Sequence, residues 1–213
     1  MDLTHIAAFA GLALLYNLIQ SGRWRAWSIT VISLLAIYWL QPDLPIRWLD
    51  YFLPTLTIAL AVIGWLYTRP QTDKSLMHVD WITLGAVVSI TLLLLLPRYV
   101  SLPFALTSRP PAITTALLVM VILGALSVGI WRITRSQQKL MTGAVLFIIV
   151  IFAFVKTESL SVLAAGWLRT LTGQDASIAS TIDIGWLGFS YVAFRLIHTL
   201  RDRQTGLLPS LSL

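Results

Sequence analysis

Six stretches of this chain contain no Asp, Glu, Lys or Arg: residues 3–22, 26–42, 51–68, 81–97, 110–131 and 140–155. They run for 20, 17, 18, 17, 22 and 16 residues. A helix that crosses hydrocarbon needs about 20 mostly apolar residues, within a range of roughly 17–25. Five runs reach that range and the last is one residue short. A seventh apolar run, 184–200, is interrupted only by Arg195 and His198. Backbone groups in hydrocarbon have no water to bond, so such a run satisfies itself as a helix. The runs are continuous rather than alternating, which argues against a barrel. The pattern predicts an all-α, polytopic transmembrane helix bundle of about seven spans, forming a single domain over residues 1–213.

Composition agrees. Hydrophobic residues make up 57% of the chain and charged residues 11%, against about 25% charged in ordinary soluble domains. Too little charge remains to cover a water-facing surface, and the chain is too apolar to be disordered. With no cysteine, a disulfide framework, a thiolate metal site and a cysteine nucleophile are excluded. All nine tryptophans lie within four positions of a charged residue, as expected of indoles marking helix ends at the headgroup level.

Basic residues set the expected orientation. The segments after the first, third, fifth and seventh runs hold nine: Arg23, Arg25, Arg69, Lys74, Arg132, Arg135, Lys139, Arg201 and Arg203. The other connections hold five: Arg47, Arg98, Arg109, Lys156 and Arg169. The C-terminus is therefore expected in the cytoplasm and the N-terminus, with Asp2, outside. Basic loops beside anionic lipid account for the formal charge of +6, so nucleic acid is not an expected partner. The first run has no basic residue ahead of it and is too long for a cleaved signal peptide.

After Lys156 the pattern changes. Leu160, Leu163, Ala164, Trp167, Leu168 and Leu171 repeat at helical spacing, with Ser161 and Arg169 off that face. This predicts one interfacial amphipathic helix on the outer membrane surface. A polar stretch, 172–181, then leads into the seventh run.

Soluble-enzyme motifs are absent: there is no glycine-rich phosphate loop, HExxH or GxSxG. His5 and His78 read as interfacial or solvated residues, and no convergent ligand set for a metal can be assembled. The seventh run carries the one polar pattern at membrane depth. Gly188, Tyr191, Arg195, His198 and Asp202 fall on one helical face, opposite Leu187, Phe194, Ile197 and Leu200. Either this stripe lines a polar channel or tunnel, or Arg195 and His198 snorkel to the cytoplasmic end and His198 pairs with Asp202 one turn on. Arg195 lies seven residues before Asp202, about 10 Å deeper, which favours the interior-facing alternative. Gly188 reads as a close-packing position.

From Trp186 to Gly206 the chain reads WLGFSYVAFRLIHTLRDRQTG. This stretch resembles, without a gap, the segment P-L-G-I-S-F-x-T-F-Q-x-x-S-Y-L-I-D-x-x-R-G of the membrane-bound O-acyltransferase family. Leu187, Gly188, Ser190, Phe194, Leu200, Asp202 and Gly206 match, and Phe189 and Tyr191 are conservative replacements. Trp186, Ala193, Arg195 and His198 depart, standing where the family has proline, threonine, glutamine and serine.

The resemblance implies a bacterial plasma-membrane enzyme with a tunnel through its bundle. An acyl thioester, acyl-CoA or acyl carrier protein, would enter from the cytoplasm as donor, with no resident cofactor. A polysaccharide or lipid would supply the accepting hydroxyl. The family's histidine general base lies downstream of the matched segment, so no catalytic residue is expected in this chain. By the same resemblance the chain is a front fragment, inactive alone, with a partner chain as one source of the missing half. A transporter subunit would need ionisable residues in several spans, and outside the seventh run they are nearly bare. A non-catalytic scaffold is the other alternative.

Overall fold

The computed structural model describes residues 3–18, 22–69, 78–100, 107, 110–134 and 136–208. Asp2, Lys74, Arg109, Arg135, the end of the first run at 19–21, residues 209–213 and the side chains of His5 and Arg23 lie outside them. The chain is all-α. Eight helices follow in order: α1 (Leu3–Leu18), α2 (Gly22–Leu40), α3 (Leu49–Thr68), α4 (His78–Leu93), α5 (Ile113–Ile133), α6 (Gln137–Lys156), α7 (Glu158–Leu171) and α8 (Phe189–Gln204). Short 3-10 turns follow α4 at Leu96–Arg98 and join α7 to α8 at Ala176–Ile178 and Thr181–Ile184.

Among the described residues, four helices are long and apolar enough to cross a membrane: α3, α4 with its 3-10 extension to Arg98, α5 and α6. This is fewer than the seven expected. The apolar part of α2, Trp24–Leu40, is shorter. The run 184–200 does not form one helix. Gly188 adopts a left-handed backbone, φ +72°, and α8 starts only after it. It then carries Arg195 in its first half and Arg201, Asp202 and Arg203 in its last turns.

The outer faces of the long helices are unsuited to water. Leu118, Val121 and Leu126 on α5 and Leu146, Phe147 and Val150 on α6 are exposed, forming the kind of broad apolar belt that lipid covers. Helix α3 is different. Its span is 61% buried, against 17%, 11% and 17% for α4, α5 and α6, so it is the axis of the bundle.

Hydrogen bonds pin five neighbours to α3. The Tyr38 and Thr55 hydroxyls share a 2.7 Å bond from α2, and the Tyr51 hydroxyl donates to the Thr91 carbonyl of α4 at 3.1 Å. The Tyr67 hydroxyl donates to the Ser127 carbonyl of α5 at 3.4 Å, and Gln137 Nε2 of α6 to the Thr68 carbonyl at 2.8 Å. Trp186 Nε1, just ahead of α8, donates to Thr57 Oγ1 at 2.8 Å. Pro54 inside α3 is fully buried. It removes one backbone donor near the start of the helix.

Helix α7 is amphipathic, as its spacing predicts, and its polar side faces the protein. Ser161, Ala165 and Arg169 are buried, while Leu163, Trp167 and Leu171 point away. A single residue, Thr157, separates α7 from α6. At 14 residues, or about 21 Å, α7 is too short to recross a hydrocarbon core of about 30 Å.

At the opposite end of the bundle, Arg69 after α3 and Asp80 in the first turn of α4 form a buried ion pair at 2.5 Å. The Arg69 guanidinium also sits 5.3 Å from the Trp65 ring centroid. Removing one partner of a buried pair strands the other charge and costs about 3–5 kcal/mol, whereas an apolar replacement of both is milder. Asp80→Ala is therefore expected to lower the thermal stability of the detergent-solubilised protein markedly. The double variant Arg69→Met, Asp80→Leu should recover most of the loss. Equal melting temperatures for the wild type and Asp80→Ala would contradict this role.

Candidate functional site: helix α8 and its entry segment

Helix α8 is positioned from both ends. At its C-terminal end, Arg203 Nε donates to the Thr68 carbonyl of α3 at 3.0 Å, and Gln204 Nε2 to Thr142 Oγ1 of α6 at 3.0 Å. At its start, the Trp186 indole stacks on Phe189 with centroids 4.1 Å apart while bonding Thr57. Between them, Leu196 touches Gly64, where an added Cβ would come within 3.3 Å. The helix thus runs alongside the second half of α3 and against α6, where Phe152 and Phe194 meet edge-on at 5.5 Å.

The segment entering α8 is built on a buried ion pair. Arg169 of α7 donates from Nε to Asp183 Oδ2 at 2.5 Å and from Nη2 to Oδ1 at 3.0 Å. Asp183 also closes a capping box with Ser180. The Arg169 guanidinium, above all, holds the Asp183 carboxyl below the ordinary carboxylate range, with the Ser180 bonds adding to it. Gln41, after α2, clasps the same segment. Its Nε2 donates to the Gly185 carbonyl at 2.7 Å, and its Oε1 accepts from the Leu187 amide at 3.3 Å. Gln174 bonds the Arg47 amide and the Pro45 carbonyl, tying the α7–α8 connection to the loop before α3.

The family-like residues lie differently from the interior-facing expectation. The buried side of α8 is Phe189, Ala193 and Leu200, with Leu196 and Ile197 packed beside them. Tyr191, Arg195 and His198 lie on the exposed side, Tyr191 at 72%. Ser190 and Asp202 are half-buried, Phe194 is exposed, and Gly188 is the left-handed residue capping the helix start. The spacing that put Tyr191, Arg195 and His198 on one face is correct, but that face does not look into this chain's own interior. Leu187 and Phe194, expected opposite the stripe, are exposed as well. His198 and Asp202 form no ion pair among the described residues. The helix pair of the snorkelling alternative is therefore not made.

Sequence inspection passed over Trp186, Gln41, Thr57 and the Arg169–Asp183 pair as positioning residues. One local signal existed: Ser180 three residues before Asp183 has the spacing of a capping box, with aspartate in the acidic position. Among the described residues, no three of His, Asp and Glu come together to hold a metal ion.

No protein-family model, curated protein or solved structure matches this chain.

Two outcomes follow. Arg195→Ala and His198→Ala, on the exposed face, should change the stability of the isolated chain by no more than about 0.5 kcal/mol. Ala193→Leu, on the buried face, should cost about 1–3 kcal/mol by overpacking; thermal melts in detergent read both. The second concerns pH. Because the folded Asp183 pKa is depressed, its contribution is complete above the unfolded carboxylate value of about 3.9. It is lost as pH falls from there through the lower folded value. Protection of the amides of residues 176–187, relative to the intrinsic exchange rate at each pH, should therefore fall below about pH 4 in the wild type. Asp183→Asn should already exchange fast at neutral pH, and identical profiles would refute the clamp.

Proposed function

We propose that this chain is the front portion of a membrane-bound O-acyltransferase of the bacterial plasma membrane. Such an enzyme would move an acyl group from a cytoplasmic thioester to a hydroxyl of a polysaccharide or lipid. The chain supplies the forward wall of the tunnel, and the histidine general base comes from protein outside these 213 residues. In this reading α1, α2 and α8 join the four long helices to make seven membrane segments, with the N-terminus outside and the C-terminus cytoplasmic. Helix α7 lies in the plane of the outer surface.

The observation that carries the proposal is the placement of the family-like segment. Trp186–Gly206 resembles the acyltransferase pattern without a gap, matching it at Leu187, Gly188, Ser190, Phe194, Leu200, Asp202 and Gly206, and α8 presents its polar stripe outward alongside α3 and α6. Arg195 lies eight residues before Arg203, which bonds the last carbonyl of α3. That is about 12 Å from the end of the span. A charge at that depth calls for protein or a water-filled path beside it, because lipid is a poor neighbour for arginine. A tunnel wall awaiting its other half meets that demand. A self-sufficient scaffold has no use for it.

The chemistry follows from the missing base. Deprotonation of the acceptor hydroxyl, its attack on the thioester carbonyl and release of the thiol need a base within hydrogen-bond reach of the acceptor. His198 is not assigned that role. On the tunnel wall, Arg195 would hold an anionic group of the donor, and Tyr191, His198 and Asp202 would line the path.

The purified chain, supplied with radiolabelled acetyl-CoA or acyl carrier protein and a polysaccharide acceptor, is expected to transfer no label. Measurable transfer would sink the assignment of a fragment inactive alone. In the complete assembly, Arg195→Ala should lower turnover at least about tenfold, a loss of about 1.4 kcal/mol in transition-state stabilisation, while leaving the melting temperature unchanged. Unchanged turnover would favour a scaffold instead.

A further inference from the structure

A cleft of about 190 Å³ lies between α3, α4 and α5, with no residue of α8 in its lining. Its walls are Ile63 of α3, Leu84, Val87 and Val88 of α4, and Met120 and Leu123 of α5. All of these fall in the middle of their helices rather than near the ends. In a bilayer the cleft therefore sits at mid-depth and opens sideways into hydrocarbon, with Val88 exposed at 41%.

The two hydroxyls in the lining are already committed. Thr55 Oγ1 bonds the Tyr38 hydroxyl and the Tyr51 carbonyl, and Thr91 Oγ1 donates to the Val87 carbonyl. A trapped water needs two to four polar partners, and with both hydroxyl protons committed this lining offers too few. Size narrows the occupant further. An apolar protein cavity of about 150 Å³ takes up benzene, so this cleft has room for a somewhat longer hydrocarbon segment. It has none for a helix about 10 Å across, which argues against a neighbouring protein.

We propose that the cleft is a binding site for one alkyl chain of a bilayer lipid, seated between α3, α4 and α5. The site depends on these helices lying in a membrane and not on the acyltransferase reading, so either can fail without the other. The occupant is held by dispersion and by exclusion of bulk lipid, and its headgroup makes no contact with the cleft.

The glycine at the rim provides the test. A Cβ built at Gly124 meets no atom within 4 Å, so larger side chains can be introduced there to fill the space. The full chain is reconstituted in phosphatidylethanolamine vesicles carrying a diazirine midway along one acyl chain, irradiated and mapped by mass spectrometry. Adducts at Met120, Val87 and Leu84 should exceed those at Leu118 and Val121, which face outward on the same helix as Met120. Gly124→Phe should reduce the cleft adducts about fivefold and leave the outward ones unchanged. If Gly124→Phe does not fold, Gly124→Leu should give a smaller reduction at the same positions. Labelling of the cleft no stronger than that of Leu118 and Val121 would overturn the site. So would labelling that neither substitution reduces.

Discussion

A hydroxyl or indole placed among hydrocarbon must find its hydrogen-bond partner inside the protein, and in this chain that requirement converges on α3. Tyr51, Thr55, Thr57, Tyr67 and Thr68 reach, or are reached from, α2, α4, α5, α6 and the entry to α8. Thr55 and Thr57 also return their hydroxyl protons to carbonyls one turn back, leaving their lone pairs to accept from other helices. Hydrogen bonds between membrane helices average about 0.6 kcal/mol each. Five of them contribute only a few kcal/mol, but each is directional. They fix which side of α3 every neighbour takes, a choice that dispersion between leucine-rich surfaces leaves nearly free.

The same logic explains why α7 turns its polar side inward. An amphipathic helix on a soluble domain buries its apolar stripe. Here Arg169 finds a carboxylate in Asp183, and that pair sits beneath the helix while Leu163, Trp167 and Leu171 are left outside. In water this arrangement would be unfavourable. Beside an apolar medium it is the low-energy one, because the charges are screened by each other and the apolar stripe meets its like. The ion pair also reaches forward along the chain. By holding Asp183 it fixes the 3-10 turn at Thr181–Ile184, and Gln41 then clasps the next few residues. The position of Trp186, and hence the start of α8, is set by contacts made before that helix begins.

How far this could be read from the residues depended on whether the controlling contacts were local. The long spans were legible because charge is expelled from hydrocarbon residue by residue, so α3, α5 and α6 fall close to the charge-free runs. The limits were less so: α2 begins at Gly22 and absorbs Arg25 into its first turns, where a charge still reaches water. The amphipathic pattern of α7 was legible from periodicity, whereas the side turned inward depended on Asp183, fourteen residues away. In α8, spacing grouped Tyr191, Arg195 and His198 correctly. Periodicity gives relative faces only, and α3 and α6 meet the helix on the side of Ala193 and Leu200 instead. Trp48 shows the limit most plainly: it holds φ +70° ahead of α3, a left-handed position that its residue type does not announce.

The outward stripe of α8 then poses an energetic question that snorkelling does not answer. Helix α8 starts level with Thr57, midway along α3, so the end of the bundle open to Arg195 is the one at the C-terminus of α8, beside Arg203 and Thr68. Side chains on a helix lean toward its N-terminus, so Arg195 is directed away from that end and deeper along α8. In that direction lies Trp186, already bonded to Thr57 within α3, and not the headgroup layer. In the seven-span reading, where α8 crosses the membrane, an arginine midway along it costs about 2.5–3.5 kcal/mol even on the lenient insertion scale, and His198 one turn away adds another polar group to the same strip. Buried Phe189, Ala193 and Leu200 hold α8 against α3 and α6, so rotating the stripe inward would trade that packing for buried polar groups without partners. In that reading Arg195 and His198 call for something polar beside them, protein or a water-filled path.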